Sequence, residues 1–350
     1  MLFNELQSYA EIIDHLNKDK RTKHLLLGNG FSISYDSSLF SYNALSSFIE
    51  NTDDELMKKL FKAINTKNFE IIMKELNIFA SIADIFSSDK SLADKIIKTK
   101  QKLQHSLIGA VKTLHPEHVF KIPKKKSESC FNFLNDYLSK KGLVFSTNYD
   151  LLLYWVLMRN DAKHAIDGFG KELLYRSDEF IPGREPEYTE DLIWGVHKDD
   201  QSIFYLHGAL PLFDTGINII KEIYDGNFLL DNINNRMNKD EYPIFVTAGN
   251  ANEKLNHIAH NQYLTYCYDK LCSVNGSLVT FGFSFGDNDT HIIDAINKAH
   301  NKPKDKRLWS VYIGVYNQED LNHIEKIKNK FKCKVNIWNA TTLNIWENNL

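Results

Sequence analysis

Four short segments of this 350-residue chain combine residue types that bind phosphate, hold sugar hydroxyls and move protons. The first is Gly28-Asn29-Gly30-Phe31-Ser32. Glycines let a backbone turn sharply and approach a pyrophosphate with no Cβ in the way, and successive N–H groups in such a turn form an anion site. A full dinucleotide fingerprint has a third glycine where this chain has Ile33. The same residues also fit a tight strand-to-helix turn that holds no ligand. The second segment is Ser146-Thr147-Asn148-Tyr149-Asp150. An asparagine offers both a donor and an acceptor, and an aspartate an anionic acceptor. Asp150 also fits the N-cap of the helix expected after it. The third, His207-Gly208, sets a group that titrates near neutral pH beside a residue that lets a ligand come close. A strand-end histidine serves structural roles as well. The fourth runs Gly282-Phe283-Ser284-Phe285-Gly286-Asp287-Asn288-Asp289, with a hydroxyl and carboxylates suited to a ribose or phosphate edge. It reads equally as a capped turn before a helix near Thr290.

Each segment follows a run with strand character. His24–Leu27, Gly142–Ser146, Ser202–Leu206, Tyr242–Thr247, Ser277–Phe281, Leu308–Val315 and Lys334–Trp338 are short and mostly apolar. Helical patterns lie between most of them. Alternation of this kind specifies an α/β fold: a Rossmann-like, mostly parallel sheet with helices on both faces. Ligands of such sheets sit beyond the carboxyl ends of the strands, where all four segments fall. One helical insertion is expected at about 51–140, because Leu56, Leu60 and Ile64, then Ile71, Ile72, Leu76 and Phe79, recur at helical spacing. A second, loop-rich insertion at about 160–200 follows from Gly168, Gly170, Pro182, Gly183 and Pro186. Residues 1–350 read as one domain with no internal repeat.

Composition narrows the function. A net charge of −3 supplies no basic field for nucleic acid. No apolar run reaches the length of a membrane span. The N-terminal stretch reads as an amphipathic helix and not as a secretory signal, so a cytoplasmic setting with reduced thiols is expected. The four cysteines, Cys130, Cys267, Cys272 and Cys333, contain no C-x-x-C pair, which argues against a zinc site built from cysteines.

In order and placement, Gly28-Asn29-Gly30, Thr147-Asn148-Tyr149-Asp150 and His207-Gly208 resemble the G-A-G phosphate loop, the T-Q-N-I-D segment and the catalytic H-G of sirtuins. The chain is more similar still to a sirtuin-like bacterial family long labelled as of unknown function. That family shares G-N-G-F-S, T-N-Y-D-L-L-L-Y-W, Y-L-H-G-A-L and a late G-x-S-x-x-x-x-D-x-H-I. Here these are residues 28–32, Thr147 to Trp155, Tyr205 to Leu210 and Gly282 to Ile292. The zinc ribbon and the P-D-F-R segment of protein deacylases are missing. Sirtuin-like NAD-hydrolase effectors of antiphage defence show the same losses.

The resemblance implies NAD as substrate and cleavage of its nicotinamide–ribose bond, with no metal required. It implies that Gly28, Asn29, Gly30 and Ser32 bind the pyrophosphate. Asn148 and Asp150, with Thr147 beside them, would hold the nicotinamide ribose and carboxamide. His207 would take a proton from the ribose or from water, and Gly282, Ser284 and Asp287 would contact the adenosine half. It further implies a toxic effector in abortive infection, controlled by a separate sensor protein within an oligomer or hetero-complex, without membrane or direct nucleic-acid binding. Two other readings remain: transfer of ADP-ribose to a protein or protein deacylation, and a nucleotide-binding module without turnover.

Overall fold

The computed structural model describes residues 2–18, 21–37, 55–64, 69–86, 91–115, 118–160, 162–174, 185–246 and 250–347. At its centre is a six-stranded, all-parallel sheet. Its strands are β1 (Lys23–Leu27), β2 (Val144–Ser146), β5 (Ile203–Tyr205), β9 (Gly276–Phe281), β10 (Leu308–Val315) and β11 (Lys334–Asn339). Every residue of β1, β2 and β5 is buried. Strands covered on both faces need continuous apolar runs, and these strands have them.

Aromatic contacts show the two covering layers. On one face Phe281 and Trp338 meet Phe133 and Tyr9 from the helices Lys124–Leu138 and Tyr9–Lys18. On the other, Phe145 stacks on Phe204, which meets Tyr266 of the helix Gln262–Leu271. The α/β reading of the sequence therefore holds.

The spatial order is β11-β10-β9-β1-β2-β5. Numbered by chain order within this sheet, that is the 3-2-1-4-5-6 order of doubly wound dinucleotide-binding folds. The order reverses between β1 and β9, and a crevice opens there at the carboxyl ends.

The structure departs from the sequence expectation in four places. The strand expected over Tyr242–Thr247 is β8 (Pro243–Phe245), and it lies outside the parallel sheet. It belongs to a second, antiparallel sheet of five strands, ordered β3 (Phe169–Gly170), β4 (Leu192–Trp194), β7 (Ile219–Lys221), β6 (Gly208–Asp214), β8. The region expected to be loop supplies β3 and β4 to that sheet, while Pro182 and Gly183 lie outside the described residues. Strands β6 and β7 were not anticipated, because the β6 run Gly-Ala-Leu-Pro-Leu-Phe does not alternate. Its first six residues are all buried, so the period-2 signal is lost.

The helices Glu55–Ile64, Phe69–Phe86 and Ser91–Leu114 agree with a helical insertion. The insertion stops short of 140, however. The helix Lys124–Leu138 is the crossover between β1 and β2: it buries Phe133, Leu134 and Tyr137 and pairs Asp136 with Lys23 of β1. Among the described residues, no helix is long and apolar enough to cross a membrane.

Candidate functional site

Register brings the sequence segments together. Leu27 pairs with Ser146 on one side and with Phe281 on the other, and Ser146 pairs with Tyr205. Four strand ends therefore lie level. The next amides continue the ladder: Gly28 N–H donates to Phe281 O (3.0 Å), Thr147 N–H to Leu27 O (3.0 Å) and Leu206 N–H to Ser146 O (2.8 Å). The chain leaves the sheet at one edge with Asn29, Thr147, Asn148, His207, Gly282 and Ser284 around a cavity of about 220 Å³. Ile33, Lys254, Phe283 and Asp289 complete the lining.

Two glycine assignments change. A Cβ on Gly28 would stand 2.5 Å from Gly282 O, and one on Gly30 would stand 2.6 Å from Gly282 Cα. Gly30 N–H donates to Gly282 O at 2.8 Å. Gly282 itself has φ +68°, and its own Cβ would meet Phe31 N at 2.5 Å. The three glycines let two loops touch backbone to backbone across the β1–β9 crevice. Gly28 and Gly30 do not line the cavity, whereas Asn29 and Gly282 do. Gly208 also acts on the backbone. Its φ of +80° turns the chain from β5 of the parallel sheet straight into β6 of the second sheet. His207 thus stands at the junction of the two sheets, its carbonyl accepting from Val246 N–H (2.7 Å).

Ser32 and Asp150 lie behind the cavity wall. Ser32 Oγ donates to Asp150 Oδ2 (2.6 Å) and accepts from Asn148 Nδ2 (2.9 Å). Asp150 Oδ1 accepts from Leu152 N–H (2.9 Å) at the start of the helix Leu152–Arg159, but the N-cap position is Leu151, so Asp150 is not the N-cap read from sequence. Burial raises the Asp150 carboxyl above its ordinary value, while Ser32 and the Leu152 amide draw it back. Because Ser32 has one proton and gives it to the carboxylate, Asn148 must face Ser32 with its amino group. Its carbonyl oxygen is left for a ligand. Ser32 and Asp150 therefore orient Asn148 and do not line the cavity.

The late loop is pinned by alternating aromatics. Phe283 and Phe285 are buried and meet edge-on at 4.7 Å, leaving Ser284 exposed between them. Asp287 points away: its side chain is 91% exposed and lies 4.0 Å from Lys330. It does not line the cavity, and Asp289 takes that place.

The sequence reading missed a cluster around His207. His207 Nε2 lies 2.9 Å from His291 Nε2, with both rings buried. Lys254 Nζ donates to Asp289 Oδ1 at 2.6 Å and is itself buried. Burial pushes His207 well below its ordinary value, and His291, Lys254 and His257 push the same way. His291 is lowered to about 4, mainly by burial, with Asp289 opposing. Both shifts favour the neutral imidazole. The late D-x-H-I motif held the signal for Asp289 and His291. Lys254 sits in the helix Ala251–Ala259 and carries no motif.

One ligand atom each of His207, His291 and Asp289 lies within 4.8 Å of the others, a donor set of the two-histidine, one-carboxylate type. Here the imidazoles bond each other and the Lys254 ammonium neutralises Asp289. The remaining ring nitrogen of His291, Nδ1, is buried with no hydrogen-bond partner among the described residues.

Fold and cavity together define a doubly wound α/β protein with a polar strand-end site at its switch point. The chain belongs to the family described as a domain of unknown function (DUF4917), whose model matches residues 25–346. No curated protein matches it by sequence.

Proposed function

We propose that this chain hydrolyses NAD to nicotinamide and ADP-ribose. The observation that carries the reading is that Asn148 and His207 share one cavity at the switch point of a 3-2-1-4-5-6 sheet. The cavity, at about 220 Å³, is smaller than the roughly 300–1,000 Å³ of whole-ligand pockets, which suits one end of a dinucleotide. In this reading the nicotinamide ribose enters beside Asn148, whose carbonyl oxygen accepts from a hydroxyl or from the carboxamide. The glycosidic bond opens through an oxocarbenium-like state. Nicotinamide leaves as a neutral ring from a cationic substrate, so it needs neither a proton donor nor a metal. Water adds to the anomeric carbon, and neutral His207 takes its proton. The sirtuin resemblance supports this assignment.

A constitutive enzyme of this kind would drain cellular NAD. We therefore infer a cytoplasmic effector of defence that is held in check by a separate regulatory partner or by assembly. The test is product analysis after prolonged incubation with NAD, in vitro and in expressing cells. Free nicotinamide and ADP-ribose in equal amounts are expected, with a loss on the order of 10² to 10⁴ in His207→Ala. ADP-ribose attached to protein would mean transfer, and NAD binding with no nicotinamide release in either setting would overturn hydrolysis.

A further inference from the structure

We propose that His291 is the positioning residue for His207. With His207 Nε2–H donating to His291 Nε2, the bond holds the ring plane of His207, leaves its Nδ1 to meet the ligand, and places the proton of His291 on its Nδ1, which is buried without a partner among the described residues. The inference rests on His207 being the proton-taking group.

The separation of 2.9 Å is a hydrogen-bond distance. Two lone pairs there would repel, and two N–H groups would clash. One nitrogen must therefore donate and the other accept, which couples the two tautomers. Both side chains are buried, at 4% and 1% exposure, so water does not compete for either nitrogen. The rings stack at 5.1 Å between centroids with 28° between planes. Behind His291, Tyr268 stacks at 6.5 Å and its hydroxyl donates to His291 O at 2.9 Å. His291 lies in the first turn of the helix Thr290–His300 and His207 at the β5–β6 junction. Two rigid elements thus hold the pair from opposite sides.

The titratable groups around the pair are Lys254, Asp289 and His257. Lys254 and Asp289 neutralise each other at 2.6 Å, so no net negative charge holds a proton on the dyad at rest. When His207 Nδ1 takes a proton from water, its Nε2–H stays bonded to His291 Nε2. The new charge then rests on a charge-assisted hydrogen bond, and no proton leaves the pair. His291 orients the base as a third group does in catalytic triads, but without a carboxylate's charge.

Two measurements test this, and only one needs turnover. Nitrogen NMR of the ring-labelled full chain without NAD should show His207 locked with one protonated and one bare nitrogen. In His291→Leu that lock should relax to averaged tautomers. In turnover, His291→Leu should lower kcat on the order of 10- to 100-fold with KM within a few-fold. His291→Gln, whose amide can donate or accept at the same point, should recover part of the loss. A His291→Leu protein with unchanged turnover and unchanged His207 signals would overturn the proposal. So would zinc chloride binding tightly to the metal-free chain in a His291-dependent way. If Leu at 291 fails to fold, the Gln variant still decides, since loss of the His207 lock there with full turnover would refute positioning. If the chain never cleaves NAD, the spectra still test the dyad by themselves, so the two readings fail separately.

Discussion

Replacing Ser32 by alanine removes the one atom that links Asn148 to Asp150. The Ser32 hydroxyl donates to a buried carboxylate at 2.6 Å and accepts from the Asn148 amide at 2.9 Å. Hydrogen bonds to charged groups contribute about 1.5–3 kcal/mol each. Ser32→Ala should therefore destabilise the fold by about that amount near neutral pH. The loss should depend on pH in a set direction. Burial already raises the Asp150 carboxyl in the folded chain, and Ser32 is a group that lowers it. Without Ser32 the folded carboxyl rises further and holds its proton to higher pH. A raised carboxyl adds most to stability at low pH, and that contribution fades as pH rises through the folded value. The penalty of Ser32→Ala should thus be small in acid and grow toward neutral pH. Denaturant titrations at pH 5 and pH 8 would read it. Catalysis should fall on the order of 10-fold, because a bond worth about 1 kcal/mol no longer orients Asn148. An equal penalty at both pH values, or a large rise in KM with kcat intact, would refute this account. The latter result would restore Ser32 as a direct ligand contact.

Gly282→Ala should collapse the crevice. It forces a side chain into φ +68° and into Phe31 N at 2.5 Å, a strain of about 1–3 kcal/mol before any clash, and loss of thermal stability would report it. Acid should destabilise the chain below pH 6.5. His24 and His291 are each held down to about 4 by burial, so the unfolded chain binds more protons between those values. Up to about 3 kcal/mol apiece is present above pH 6.5 and lost as pH falls toward 4, and His291→Gln should flatten its share of the curve. Expression of the chain alone in a bacterial host should leave intracellular NAD near normal if a partner or assembly controls it. Rapid depletion without any partner would refute that control.

The sequence determined the parallel sheet, because strands covered on both faces must be written as short apolar runs bounded by turn residues. It also determined which strand ends carry polar side chains, since Asn148, His207 and Ser284 stand where a strand has just ended. The second sheet was hidden for a physical reason. Strand β6 is buried along nearly its whole length, β3, β4 and β7 each span only two or three residues, too short to display a period, and β8 was legible as a strand but not as a member of another sheet. The roles within the site were decided by tertiary structure alone. Nothing local to Gly28 or Gly30 says that the backbone of Gly282 fills the space where a Cβ would go. Nothing local to Ser32 says that its hydroxyl points inward to Asp150, 118 residues further along the chain. His207 and His291 meet across 84 residues because a crossover returns the chain to the far side of β1. A local pattern records what a residue is and which face it sits on; which groups neutralise, orient or occlude one another depends on contacts between distant segments, and those exist only once the sheet has formed.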